Sequence, residues 1–102
     1  MKDILITGSS GYIGSHLLKK ISDCLLYNVS GIDKKKPDII CPDKFHYGDI
    51  RNDKYLKYKD SFECVIHLAA EMRVGESVKD PTLYYETNIL GTLNVLRNIK
   101  TK

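Results

Sequence analysis

The sequence predicts an α/β fold, a parallel sheet of order 3-2-1-4 with flanking helices. Three observations predict it. Short apolar runs alternate with amphipathic helical stretches along the chain, a glycine-rich turn joins the first run to the first helix, and an acidic residue closes the second run. Strands that alternate with helices must lie parallel and cross over in the right-handed sense.

Residues 3–7, Asp-Ile-Leu-Ile-Thr, are apolar up to a glycine, as a strand buried on both faces requires. A helix begins at Tyr12, with Ile13, Leu17 and Ile21 four apart on one face and Lys19 and Lys20 off it. The run from Leu25 to Ile32 is a second strand, ending at Asp33. Phe45–Tyr47 is a short third strand, stopped by Gly48-Asp49. Residues 51–59 are polar and read as a short helix. Cys64 to Leu68 is a fourth buried strand leading into Ala69-Ala70. A last helix has Asp80 as its cap and Pro81 at its first position, where a missing N–H costs nothing. Ile89, Leu93, Leu96 and Lys100 then follow helical spacing, with Leu90 and Ile99 flanking the apolar stripe.

Composition bounds the function classes. The chain has 102 residues, enough for one small domain, and 42% are hydrophobic, so a folded globule is expected. A net charge of +3 with acidic and basic residues interspersed does not point to nucleic acid. Cys24, Cys41 and Cys64 are odd in number and widely spaced, which suggests neither a disulfide framework nor a metal site. A reduced, cytoplasmic setting is expected, and no apolar run is long enough for a membrane span.

The strongest local signal is Gly8-Ser9-Ser10-Gly11-Tyr12-Ile13-Gly14, between a strand and a helix. Gly8 lets the chain turn sharply. Gly11 has no Cβ to keep a pyrophosphate from the backbone, and Gly14 lets the helix pack close to the sheet. Free N–H groups of the first helical turn then face the phosphates. Asp33 follows Gly14 by 19 residues at the end of the second strand. A dinucleotide-binding unit places a carboxylate there to accept from the adenosine ribose hydroxyls. Such a carboxylate repels a 2′-phosphate, so NAD is expected over NADP, although Lys34, Lys35 and Lys36 could neutralise a phosphate. The cofactor crevice is expected between strands one and four, where the strand order reverses.

With these residues in view, the chain resembles the extended short-chain dehydrogenase/reductases of the NAD-dependent epimerase/dehydratase family. The resemblance rests on Thr7 to His16, Gly48-Asp49-Ile50-Arg51, His67-Leu68-Ala69-Ala70, Val74 to Val78, Pro81, Tyr84 to Asn88 and Gly91-Thr92. It is nearest the UDP-glucose 4-epimerase branch and covers essentially the whole chain. It implies a partial Rossmann fold that binds NAD. Tyr12 and Ile13 would present backbone to the pyrophosphate, and Asp33 would hold the adenosine ribose. Asp49 would meet the adenine amino group and Ile50 the adenine face. Leu68, Ala69 and Ala70 would line the cofactor, and Asn88 would contact it or brace the loop that does.

The chain also departs from the family pattern. Met72 stands where these epimerases usually have lysine, with Arg73 beside it, and Glu71 is more like the dehydratases. The stretch between Asp33 and Phe45 is short. The family's catalytic Ser or Thr and its Tyr-x-x-x-Lys pair have no counterpart in place. Tyr55 and Lys59 have the spacing but fall ahead of the fourth strand, where they read as a solvated helix face. The expectation is therefore a truncated dinucleotide-binding domain over residues 1–102, with no substrate domain and no catalytic residue of its own. Two readings of function stay open. One is the NAD-binding portion of a nucleotide-sugar epimerase, which would meet its sugar only if a complementary C-terminal polypeptide supplied the rest. The other is a non-catalytic dinucleotide-binding module or a remnant. Self-association through the open edge of the fourth strand is expected in either case.

Overall fold

The apolar residues of the first strand sort by parity onto two faces, and the rest of the molecule is laid against them. The structure, a computed structural model, describes residues 2–38, 40–57, 61–70 and 79–101. In chain order it comprises β1 (Lys2–Thr7), α1 (Tyr12–Ser22), β2 (Tyr27–Asp33), β3 (Lys44–Tyr47), a 3-10 turn (Asp53–Leu56), β4 (Ser61–Phe62) and β5 (Cys64–His67). There follow α2 (Pro81–Tyr85), a π-helical segment (Glu86–Gly91), α3 (Thr92–Asn98) and β6 (Lys100–Thr101). Glu71, Met72, Arg73, the Val74–Val78 motif and Lys59 lie outside the described residues.

The main sheet is parallel, in the order β3-β2-β1-β5. This is the predicted order; the strand expected fourth is β5, because the two-residue β4 precedes it. Leu5 and Ile32 face one side and pack with Ile50, Leu56, Phe62 and Val95. Ile4, Ile6 and Val29 face the other and pack with Leu18 of α1. Helices on both faces explain why β1 is apolar at successive positions rather than at alternate ones. Burying each such side chain stabilises the fold by about 1.5–3 kcal/mol.

β4 and β5 behave as one strand bent at Glu63. Ser61 and Phe62 pair outward with Lys100 and Thr101 of β6, while Cys64 to His67 pair inward with Ile4 to Thr7. Glu63 N–H still donates to the Asp3 carbonyl at 2.8 Å, so the bend does not break the ladder with β1. Among the described residues no strand lies on the outer side of Cys64–His67.

Several local expectations need correction. β2 starts at Tyr27, because Leu25 has φ +57° and both Leu25 and Leu26 are exposed. On α1, Leu18 and Gly14 are buried, Leu17 and Ile21 are half-buried, and Ile13 is exposed at the open first turn. The expected helix over 51–59 is a single 3-10 turn at Asp53–Leu56, capped by Asn52. The last helix starts as predicted, with the Asp80 carboxylate accepting from Leu83 N–H and Pro81 first. Its inward face differs: Thr87, Gly91, Asn94 and Val95 are buried, while Ile89, Leu93 and Leu96 are exposed. Close packing selects that face. A Cβ at Gly91 would lie 2.7 Å from Cδ1 of Ile50, so a larger residue would not fit there.

Candidate functional site

The carboxyl ends of the four sheet strands come out level. Thr7 is in register with Ile32 of β2 and with His67 of β5, and Asp33 is in register with Tyr47 of β3. The segments that continue these strands, from Gly8, Lys34, Gly48 and Leu68, therefore gather along one edge.

Gly8 leaves β1 at φ +72°, and a Cβ there would lie 2.7 Å from the backbone nitrogen of Ala69. A side chain is thus excluded both by conformation and by the close approach of the Leu68–Ala69 backbone. Gly14 packs its first turn onto the loop so tightly that a Cβ would lie 2.2 Å from the Gly8 carbonyl oxygen. Gly11 is exposed, with only that same oxygen near, at 3.3 Å. It caps α1 in extended conformation with no side-chain hydrogen bond to the helix. Among the described residues no side chain caps the first-turn N–H groups of Tyr12, Ile13 and Gly14, the arrangement that suits an anionic ligand. Beside Gly11 and Tyr12 opens a cleft of about 400 Å³, bounded by Ser10, His16, Lys19 and Lys35.

Asp33 is held over this loop. One carboxylate oxygen accepts from Ser10 N–H and the other from Lys35 N–H, both at 3.0 Å. Each oxygen keeps a lone pair, which suits a ribose diol. On the far side, Asp49 is clasped by Arg51, whose Nε and Nη2 both donate to Oδ2, at 3.0 and 2.7 Å. Burial raises the Asp49 pKa, but the Arg51 hydrogen bonds and charge, with Lys34 adding, outweigh it and hold the carboxyl below its ordinary value. Arg51 also reaches Glu86 of the π segment at 3.9 Å.

Ile50 is only 4% exposed, and its side chain lies in the core against Gly91. The core thus holds the side chain expected to meet the adenine face. Leu68 and Ala69 are half-buried and Ala70 is exposed beside the glycine turn. Asn88 is exposed on the π segment. The loop, Asp33 and the Leu68–Ala69 backbone are thus brought together directly, while the Asn88 carbonyl is linked to them through Thr92 and His67.

That last connection is one that sequence reasoning missed. His67 Nδ1 lies 2.6 Å from Thr7 Oγ1, and its Nε2 lies 2.9 Å from Thr92 Oγ1. Thr92 donates in turn to the Asn88 carbonyl at 2.8 Å. Burial pushes the His67 pKa down. Asn94 was missed too: its amide donates to the carbonyls of Ile50 and Arg51, at 3.0 and 3.2 Å, and so fixes the Asp49 turn on α3. The available signal was polarity in the wrong place, a histidine closing an apolar strand and an asparagine inside a helix.

A parallel sheet with a glycine turn, an uncapped helix start and a carboxylate at the second strand end is the arrangement of a Rossmann-type α/β unit. The profile of the NAD dependent epimerase/dehydratase family matches residues 4–102, and the chain belongs to that family. It is 39% identical to the UDP-glucose 4-epimerase of Halalkalibacterium halodurans, over 94% of this chain and 30% of that protein. To the putative UDP-glucose 4-epimerase of Methanocaldococcus jannaschii it is 36% identical, over 95% and 33%. The Thermus thermophilus UDP-glucose 4-epimerase in complex with NAD superposes with a TM-score of 0.81 at 30% identity, over 94% of this chain and 33% of that one. The chain thus spans about a third of the length of the curated relatives it matches.

The fold is accordingly a partial Rossmann fold. Among the described residues no helix is long and apolar enough to cross a membrane, and no cluster of His, Cys, Asp and Glu could hold a metal ion.

Proposed function

We propose that this chain is the NAD-holding portion of a nucleotide-sugar epimerase of the UDP-glucose 4-epimerase type. The observation that carries the reading is the uncapped start of α1, set between the Gly8 turn and the Asp33 carboxylate. Tyr12, Ile13 and Gly14 offer N–H groups to the pyrophosphate. Asp33 accepts from the ribose hydroxyls and repels a 2′-phosphate, so NAD is held in preference to NADP. The backbone of Leu68, Ala69 and Ala70 lines the path toward the nicotinamide end. Held by these residues, NAD would supply reversible hydride acceptance for the sugar.

General acid–base catalysis needs a titrating group within hydrogen-bond reach of the sugar hydroxyl. The family's catalytic Ser or Thr and Tyr-x-x-x-Lys pair have no counterpart in place in this sequence. Tyr55, the one tyrosine with a lysine four residues on that sequence reasoning weighed, packs against Gly48 ahead of β5. On this reading the sugar pocket and the base would be supplied by a complementary C-terminal polypeptide. Exchange between UDP-glucose and UDP-galactose in a cytoplasmic setting is the activity this implies. The missing base also supports a second reading, a dinucleotide-binding module without catalysis.

Calorimetric titration of the purified chain tests the shared core of both readings. NAD is expected to bind saturably and more tightly than NADP. Asp33→Ala should weaken NAD by about 1–3 kcal/mol, the worth of hydrogen bonds to a charged group. Tighter NADP binding would assign the site to Lys34, Lys35 and Lys36 instead. Adding the polypeptide encoded next to this one and assaying UDP-glucose conversion separates the two readings.

A further inference from the structure

We propose that His67 is a positioning residue for the cofactor-lining backbone, acting as a neutral imidazole with its proton on Nε2. The inference rests on the dinucleotide reading above but is carried by a separate count of donors and acceptors. Thr7 Oγ1 accepts from Ala69 N–H at 3.2 Å and from Leu68 N–H at 3.1 Å. Leu68 N–H is shared with the Thr7 carbonyl, at 3.0 Å, and with both N–H groups turned toward Oγ1 the acceptor facing the hydroxyl hydrogen is His67 Nδ1, at 2.6 Å. Nδ1 is accordingly assigned as the acceptor, with the ring proton on Nε2. Nε2–H donates to Thr92 Oγ1, whose hydrogen is already given to the Asn88 carbonyl. With these directions the Thr7 and Thr92 hydroxyls and the ring N–H each donate to a neighbouring acceptor, an arrangement that the Nε2–H tautomer provides.

The consequence is mechanical. Thr7 ends β1, His67 ends β5 and Thr92 opens α3. The ring ties all three together, and the Leu68–Ala69 backbone hangs from the same threonine oxygen. The close approach of Ala69 to Gly8 depends on that attachment. A second proton on Nδ1 would meet the Thr7 hydroxyl head-on, and Thr7 could turn only by giving up a backbone N–H.

Burial alone depresses the pKa of the ring. Among the described residues, the charged and titratable groups of the elements around it are remote along the chain or paired. Lys2 and Asp3 stand at the far end of β1, and Glu63 and Cys64 at the start of the β5 run. Glu86 and Arg97 flank the helical stretch that carries Thr92, and Asp49 and Arg51 are closed on each other. A lowered folded pKa means that the linked stability is complete above the unfolded value of about 6.5 and is lost as pH falls through the folded one.

The test uses the full chain. Histidine 15N spectra near neutral pH should show His67 with a bare Nδ1. Wild-type NAD affinity should drop on the order of tenfold between about pH 7.5 and about pH 5, whereas His67→Gln, which cannot charge, should lose far less. Thr7→Ser keeps the donor and should titrate as wild type. Thr7→Val removes the opposition to a proton on Nδ1, so His67 should titrate at a higher pH. An Nδ1–H tautomer, a charged ring at neutral pH, or equal pH sensitivity in wild type and His67→Gln would overturn the proposal. If wild type binds no NAD at all, the dinucleotide reading falls by itself. The inference is then decided by the tautomer, the Thr7 variants, and acid destabilisation on melting, which the wild type should show more strongly than His67→Gln. Failure of His67→Gln to fold would leave the tautomer and the two Thr7 variants to decide it.

Discussion

A methyl group at Gly14 would sit 2.2 Å from the Gly8 carbonyl oxygen, backbone against backbone, with no flexible atom able to yield. Gly14→Ala should therefore destabilise the fold by about 1–3 kcal/mol, read from urea unfolding. Gly11→Ala meets only one atom, at 3.3 Å, so its cost should appear in NAD affinity rather than in stability. Asp49 gives an acid signature. Its folded pKa is lowered, so the stability it contributes is present above about pH 4 and is lost as pH falls through the folded value. Asp49→Asn should flatten that part of the urea midpoint against pH, and an unchanged profile would mean that the Arg51 clasp contributes nothing. The sharp turn at Gly8 and the close packing at Gly14 were legible in the sequence because they follow from local backbone needs at fixed spacing. The Thr7–His67–Thr92 chain was not, because it exists only where three elements meet, 60 and 25 residues apart.

Residues 81–98 show at the scale of an element what periodicity can and cannot tell. The cap at Asp80, the proline start and the helical character follow from local chemistry and were readable. The inward face was not, since Ile89, Leu93 and Leu96 form the better apolar stripe and yet lie outside. A π-helical segment changes the phase of the helix at Glu86–Gly91, and the closeness of Gly91 to Ile50 outweighs the stripe. Two substitutions measure this choice of face. Asn94→Ala removes an amide that serves two carbonyls and should cost about 1–3 kcal/mol. Leu96→Lys falls on a residue 74% exposed and should change stability by less than about 0.5 kcal/mol in chemical denaturation. The reverse ranking would place the wrong face against the sheet.

For the molecule as a whole, the purified chain with NAD should not convert UDP-glucose, and it should self-associate in sedimentation. Turnover by a folded monomer would show that a base lies within these residues after all. The expected contact is the outer side of β5, which carries backbone donors and acceptors and an exposed Cys64. The parallel sheet has one more consequence, for the time course of assembly. None of its pairings is a hairpin. Lys2 meets Tyr27 across 25 residues, while Ile4 meets Cys64 across 60. Ends that far apart must search before any contact rewards them, and such topologies fold slowly. The β1–α1–β2 unit has the shorter search and already contains the Gly8 turn and Asp33. During folding one wall of the crevice can thus exist before β5 docks and brings the other.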